Sequence, residues 1–274
     1  MDVIEYNREA WNRESRDGSA WCLPVGPDVI QAARQGTWSV ILTPTKPVPL
    51  EWLGEVRGKQ VLCLASGGGQ QAPVLAAAGA RVTSFDLSEE QLRKDQEVAA
   101  REGLHLSCEQ GDMADLSRFP PEIFDLVFHP VSNVFAPDVS TVWRECYRVL
   151  KPGGILVAGF MNPCLFLFNH SEVEATGSLV VRYPLPYNEP DSLSAADQGR
   201  WRESGRPAEF SHSLEAQIGG QLAAGFVLTG LYEDTWSDEA TLFNRFSPVA
   251  IATRAVKLKA DSRPDNACMD SPYN

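Results

Sequence analysis

From residue 54 onward, short apolar and β-branched runs alternate with stretches whose apolar residues recur every three or four positions. Runs of that kind separated by helical periods predict a mostly parallel sheet covered by helices on both faces. The runs cover 60–65, 81–86, 104–110, 123–128, 154–160 and 226–232. A seventh, 247–254, follows about a dozen residues later without a helical repeat, a spacing that permits an antiparallel return rather than a crossover. Between the runs, Ser88 and Gln91 form a capping-box pattern and Gly103 closes the same helix. Val139, Val142, Trp143, Cys146 and Leu150 recur at helical spacing, from Asp138 to the stop Lys151-Pro152-Gly153-Gly154. Leu214, Ile218 and Leu222 give a third stripe. Gly219 and Gly220 inside it each cost about 1 kcal/mol relative to Ala, which predicts close packing there against another segment or a ligand.

Three stretches fall outside this alternation. Residues 1–53 carry Tyr6, Trp11, Trp21, Trp38 and Trp52 and end in Pro44-Thr45-Lys46-Pro47-Val48-Pro49, which cannot be regular helix. Residues 161–210 are broken by Pro184, Pro186, Pro190 and Pro207 and form an expected insertion near the strand ends, where specificity usually resides. From 255 to 274 the chain turns polar and is expected to fray. The organisation is therefore an N-terminal helical lid (1–53), a domain over 54–254 with a substrate-side insertion at 161–210, and a tail.

At 274 residues with 43% hydrophobic positions, the chain can close a sizeable core. A net charge of −12 opposes attraction to phosphate backbones and anionic lipid, so neither nucleic acid nor membrane is an expected partner. No apolar run is long enough to span a bilayer, and Met1-Asp2-Val3-Ile4-Glu5 has no signal-peptide character. The six cysteines show no C-x-x-C pair, which indicates neither zinc nor a disulfide framework and suits a reducing cytoplasm.

The most informative segment is Val61-Leu62-Cys63-Leu64-Ala65-Ser66-Gly67-Gly68-Gly69-Gln70-Gln71-Ala72, a buried strand running through glycines into a helix. Such a turn lets a ligand approach the backbone at a helix N-terminus, where free N–H groups point outward. Asp86 ends the next strand, where a carboxylate accepts from both ribose hydroxyls of an adenosine ligand. Gly67-x-Gly69-x-x-Ala72 with Asp86 also satisfies a dinucleotide fingerprint, so a nicotinamide oxidoreductase is a second reading. Tyr147-Arg148-Val149-Leu150-Lys151 has the Tyr-x-x-x-Lys spacing of short-chain dehydrogenases. Pro152 nevertheless pushes Lys151 out of helical geometry, and Gly153-Gly154 ends the element.

In the order of its motifs the chain resembles the class I S-adenosylmethionine-dependent methyltransferases that act on small molecules, of methyltransferase type 11. Val61 to Gly69 is similar to their first motif, Phe85-Asp86-Leu87-Ser88 to the ribose site, and Gly111-Asp112-Met113-Ala114-Asp115-Leu116 to the adenine-side motif. Phe124-Asp125-Leu126-Val127 resembles their fourth strand, and Arg148 to Leu156 the turn into the fifth. The pattern departs at Cys63, where the family usually has an acid, and at Ala65, where it has its first glycine.

The resemblance implies a Rossmann-like seven-stranded sheet with an antiparallel last strand, and S-adenosyl-L-methionine as cofactor. It places Ala65, Ser66, Gly67 and Gly69 at the methionine portion, Asp86 at the ribose, Leu87 and Met113 on the adenine faces and Asp112 at the adenine amino group, with Gln91 and His129 also on the cofactor side. Methyl transfer is an in-line displacement that needs alignment more than catalytic side chains. His129, at the carboxyl edge of the sheet, is the candidate proton acceptor, with a backbone-bonded wall residue as the alternative. Tyr6, Trp11, Tyr183 and His212 are candidates for the acceptor side. The expected acceptor is a small molecule. A cofactor-binding protein without transferase activity is a third reading.

Overall fold

The computed structural model describes residues 2–237 and 239–259. Its centre is a seven-stranded sheet in the order β3-β2-β1-β4-β5-β7-β6. The strands are β1 (Gln60–Leu64), β2 (Arg81–Asp86), β3 (Leu106–Gln110), β4 (Phe124–His129), β5 (Leu150–Met161), β6 (Phe226–Asp234) and β7 (Ala250–Lys257). β1 to β5 pair in parallel, and β7 runs antiparallel to both β5 and β6. Val61 to Leu64 are buried on both faces, as continuous apolar runs in parallel sheets are.

Helices α1 (Val3–Asp17), α2 (Pro27–Arg34), α3 (Leu50–Leu53), α4 (Gln71–Ala77), α5 (Glu89–Glu102) and α6 (Val139–Val149) precede β5 or lie between its neighbours. Helices α7 (His170–Thr176), α8 (Glu189–Ser192), α9 (Ala195–Ser204) and α10 (Gly220–Ala223) follow it. One core layer joins α2, α4 and α5 to the sheet through Ile30, Ala33, Leu75 and Val98; the other joins α6 through Val142, Trp143 and Cys146. Helix α5 begins where expected: Ser88 Oγ accepts from Gln91 N at 3.2 Å, and Gly103 closes it in the left-handed region. The reciprocal half of the box is not made, because Asp86 Oδ1 already takes the Ser88 amide at 2.9 Å.

Several strand boundaries differ from the sequence reading. β5 starts at Leu150 instead of 154, because Phe124 pairs with Leu150 and a register shift before Leu126 absorbs the Pro-Gly-Gly turn. Lys151 lies beyond α6, as the proline rule requires. β7 runs to Lys257, so residues 255–257 belong to the sheet and not to a frayed tail; Lys257 Nζ donates to the carbonyls of Tyr147 and Leu150 at 3.0 and 2.8 Å. The rest of the expected tail, from 260, lies outside the described residues.

The third stripe is inverted. A π-helical turn at Glu215–Gly219 runs into α10, leaving Leu214 and Leu222 exposed while Gln217 and Gln221 are buried. The amides find partners inside: Gln217 and Asn133 exchange two bonds of 3.1 Å, and Thr253 Oγ1 donates to Gln221 Oε1 at 3.0 Å. Of the paired glycines only Gly220 is closely packed, and against the protein itself: a Cβ there would lie 2.8 Å from the Trp143 indole, while one on Gly219 would meet only the Glu215 side chain at 3.6 Å.

Candidate cofactor and acceptor site

The glycine turn leaves β1 at the carboxyl edge of the sheet. Ala65 takes φ 48°, a left-handed conformation that a first glycine would adopt without strain, and its N–H donates to Phe85 O at 2.7 Å. The next amides face inward, contrary to the outward-pointing donors expected of this turn. Gly67 N donates to Asp86 Oδ2 at 3.0 Å, Gly68 N to Gln91 O at 3.0 Å, and Gly69 N to Asp95 Oδ1 at 2.7 Å. Acceptors from β2 and α5 converge beneath the turn and consume all three. A Cβ on Gly67 would sit 2.7 Å from that of Gln91, so glycine alone permits this contact.

Asp86 is half-buried, and burial raises its carboxyl above the ordinary value against the pull of the Ser88, Gly67 and Leu87 amides. The main chain of Asp86 fixes the next motif, because Gly111 N donates to Asp86 O at 3.0 Å. That bond ties the start of the Gly111–Leu116 segment to the end of β2. Asp112 Oδ1 accepts from Ala114 N at 3.0 Å, and Met113 packs on the α6-side core. Leu87 O accepts from Gln110 Nε2 at 3.1 Å. Two buried polar atoms flank the turn without protein partners, Ser66 Oγ and Gln91 Oε1. Unpaired buried polar atoms are costly, so they suit a polar ligand on the turn.

The sequence reading missed Asp95. It is fully buried, its Oδ1 holds Gly69 and its Oδ2 accepts from Ser84 Oγ at 2.5 Å, and burial lifts its carboxyl to about 7. The signal was periodic: Asp95 falls on the same α5 face as Leu92, Val98 and Ala99, where a charge is out of place.

His129 ends β4 with no exposure. Its Nδ1–H donates to Leu64 O at 3.0 Å, its Nε2 is buried without a partner, and burial lowers its pKa to about 4. The ring is neutral at physiological pH.

The N-terminal segment lies over the turn. Val25 N donates to Gly69 O at 2.8 Å, Lys94 Nζ to Cys22 O at 2.6 Å, and Gln91 Nε2 to Cys22 Sγ at 3.1 Å. Ser88 Oγ donates to Asn12 Oδ1 at 2.7 Å, tying α1 to the start of α5. Trp11 meets Phe135 edge-on at 5.0 Å, and His212 Nε2 donates to Ala136 O at 3.0 Å with Asn133 O at 3.2 Å. Trp11 and His212 thus converge on residues 133–136. Tyr183 joins them through an apolar cluster that holds Val134 and Phe135, with its ring 5.0 Å from Tyr187 and its hydroxyl accepting from Asn169 Nδ2 at 3.0 Å. Tyr6 stands apart, bonded to Arg206 O at 3.0 Å and set against Trp201 at 5.0 Å. The insertion also holds Glu209, unflagged by any motif; burial and the neighbouring Glu189 raise its carboxyl to about 7.

A family described as a methyltransferase domain matches residues 62–158, from β1 through most of β5. A Bacillus subtilis (strain 168) protein described as the uncharacterized methyltransferase YbaJ is 45% identical over 256 residues, 93% of this chain and 99% of that protein. The chain belongs to the class I S-adenosylmethionine-dependent methyltransferases. Its cofactor is S-adenosylmethionine and its reaction is methyl transfer, and the oxidoreductase and non-transferase readings are not favoured. The ubiquinone biosynthesis O-methyltransferase of Pseudomonas savastanoi pv. phaseolicola is 33% identical over 127 residues, 44% of this chain and 55% of that protein. The S-adenosylmethionine-dependent methyltransferase of Mesorhizobium loti shares the fold at a TM-score of 0.59 and 20% identity, covering 75% of this chain and 94% of that one. Within this methyltransferase, the matched residues carry the glycine turn, Asp86 and Asp112, while α1 and the 161–210 insertion lie outside the match.

Proposed function

We propose that this methyltransferase binds its cofactor on Ala65–Gly69, Asp86, Leu87, Gln91, Asp112 and Met113, and methylates a soluble small molecule held between α1 and the 161–210 insertion. The observation that carries the cofactor reading is the inward commitment of the Gly67, Gly68 and Gly69 amides. A diphosphate needs those donors free. A methionine tail carrying a sulfonium does not, and the unpartnered Ser66 Oγ and Gln91 Oε1 offer it polar contacts. Each Asp86 oxygen takes one backbone amide, which leaves lone pairs for two ribose hydroxyls.

Bound S-adenosylmethionine supplies a methyl group on a positively charged sulfur that the acceptor displaces in line. The chain's part is alignment and exclusion of water. His129 holds a proton at Nδ1 for the Leu64 carbonyl and stays neutral, so it adds no positive charge beside the turn. It acts in this reading as a wall of the site. Trp11, Tyr183 and His212 shape the acceptor space around residues 133–136, with Tyr6 anchoring α1 to the insertion as a lid. The net charge of −12 favours a metabolite over nucleic acid or lipid. Among the described residues five cysteines are unpaired, which suits a reducing, cytoplasmic setting.

Calorimetry with S-adenosylhomocysteine tests the cofactor site: saturable binding is expected, weakened roughly 10- to 100-fold by Asp86→Ala as buried acceptors are lost. Unchanged affinity in that variant would overturn the assignment. Incubation with methyl-labelled cofactor and a metabolite extract is expected to give a labelled small product; label found only in nucleic acid or lipid would overturn the acceptor class.

A further inference from the structure

We propose that Asp95 is the positioning residue of the cofactor turn, a buried carboxylate supplied from α5 in a chain whose first motif carries Cys63 in place of an acid. The inference rests on the turn being the cofactor cradle. Cys63 and Ser84 are register partners across β1 and β2, and both are fully buried. Asp95 Oδ2 sits on Ser84 Oγ, so the carboxylate lies over this strand pair at the level of residue 63. From there its Oδ1 reaches the Gly69 amide at 2.7 Å, the shortest of the three bonds that hold the glycine amides. Burial raises the Cys63 thiol well above its ordinary value, and Asp95 adds to the rise. The thiol is therefore uncharged and cannot serve as a charged acceptor itself.

The space admits one carboxylate. A second buried acid at position 63 would face Asp95 without a cation, and like charges in a dry site disfavour each other strongly. Cys63 and Asp95 therefore form a complementary pair: the small neutral side chain on β1 leaves room for the acid on α5. The clamp also explains how the turn keeps its inward geometry although Ala65 occupies a left-handed position. Two rigid supports, Phe85 O on Ala65 and Asp95 on Gly69, fix the turn at both ends.

The test uses the full chain and S-adenosylhomocysteine calorimetry. Asp95→Ala is expected to weaken binding roughly 10- to 100-fold, the cost of an unsatisfied buried N–H. Adding Cys63→Asp to Asp95→Ala is expected to recover most of that loss, a rescue that a purely structural role for Asp95 would not produce. In kinetics the single variant raises KM for the cofactor with little change in kcat. Parental affinity in Asp95→Ala, or a double variant no better than the single one, overturns the proposal. If Asp95→Ala does not fold, the Gly69 amide proton in the parent and in Asp95→Asn decides: it is expected far downfield and displaced by the substitution, and an undisplaced resonance overturns the clamp. Asp86→Ala is run alongside. If it alone keeps parental affinity, the cradle reading fails while the amide resonance still tests the clamp.

Discussion

His129 Nδ1 lies 3.0 Å from the carbonyl oxygen of Leu64, so the last residue of β4 bonds the last residue of β1 just before the glycine turn. A β-carbonyl at that point has no further ladder partner, and the imidazole supplies one. The bond requires the Nδ1–H tautomer and leaves Nε2 as a buried, bare acceptor. Protonating Nε2 would place a charge in an apolar layer beside Trp143, whose ring is 5.9 Å away.

Stability should therefore depend on pH through His129. Its folded pKa, about 4, lies below the ordinary 6.5, so the neutral form is the one that folding favours. The contribution is complete above pH 6.5 and is lost as pH falls through 4. The full window is worth on the order of 3 kcal/mol. Asp95 and Glu209 act in the opposite sense, because their raised carboxyls favour the fold at low pH and lose that contribution as pH rises toward about 7. The clean measurement is a difference. His129→Asn keeps a donor to Leu64 O and removes the titration, so urea midpoints of parent and variant should converge as pH falls from 6.5 to 4. A constant gap across that range would contradict the assignment.

Ala65 stores strain at φ 48°. Ala65→Gly should raise stability by about 0.5–1 kcal/mol, the left-handed penalty of about 1–2 kcal/mol less the entropy that glycine adds to the unfolded chain. Denaturant midpoints read this directly, and S-adenosylhomocysteine affinity should stay within about threefold because the backbone path is unchanged. A destabilised Ala65→Gly would mean that the Ala methyl contributes packing that outweighs its strain.

The parallel strands, the caps of α5, the glycine turn and Asp86 were legible because each is written in neighbouring residues: continuous apolar runs, Ser88 to Gln91, a Gly triplet, an acid at a strand end. What escaped depends on partners distant in sequence. The α5 periodicity marks Asp95 as a charge on the buried face, but its role is legible only once Gly69 and Ser84 are placed against it. The 214–222 stripe misled for the opposite reason. Apolar spacing there does not mark the buried face: the neighbours are Asn133 and Thr253, and amides satisfy them where leucines could not. The end of β7 was hidden by Lys257, whose ammonium is buried on carbonyls.

Gly220 tests that inverted packing. In an exposed helix, Gly→Ala would stabilise by about 1 kcal/mol. Here the added methyl would meet the buried Trp143 ring at 2.8 Å, and the ring is held by its Nε1–H donating to Ala216 O at 3.1 Å. Gly220→Ala should instead destabilise by about 1–3 kcal/mol and shift tryptophan fluorescence. Leu222→Ser, on the exposed side, should leave stability within about 0.5 kcal/mol. A stabilising Gly220→Ala would contradict the packing.

Asn7 decides whether α1 acts as a lid. Its buried amide makes three bonds: Nδ2 donates to Phe135 O at 3.0 Å and Ala208 O at 3.1 Å, and Oδ1 accepts from Ala208 N at 2.7 Å. This one side chain fastens α1 both to the 133–136 loop and to the insertion. Asn7→Ala leaves buried carbonyls and an N–H unpaired, a cost of about 3 kcal/mol. The loss falls locally, because α1 sits at the edge of the fold while the sheet core lies elsewhere. Amide exchange in α1 should accelerate while β1, β4 and β5 keep their protection. KM for the acceptor should rise by more than the affinity for S-adenosylhomocysteine falls. Tyr6→Phe, which removes a single bond to Arg206 O, should give the same pattern in weaker form. If exchange rises across the sheet as well, α1 is an integral part of the core. If KM is unmoved while α1 loosens, the acceptor enters without touching it.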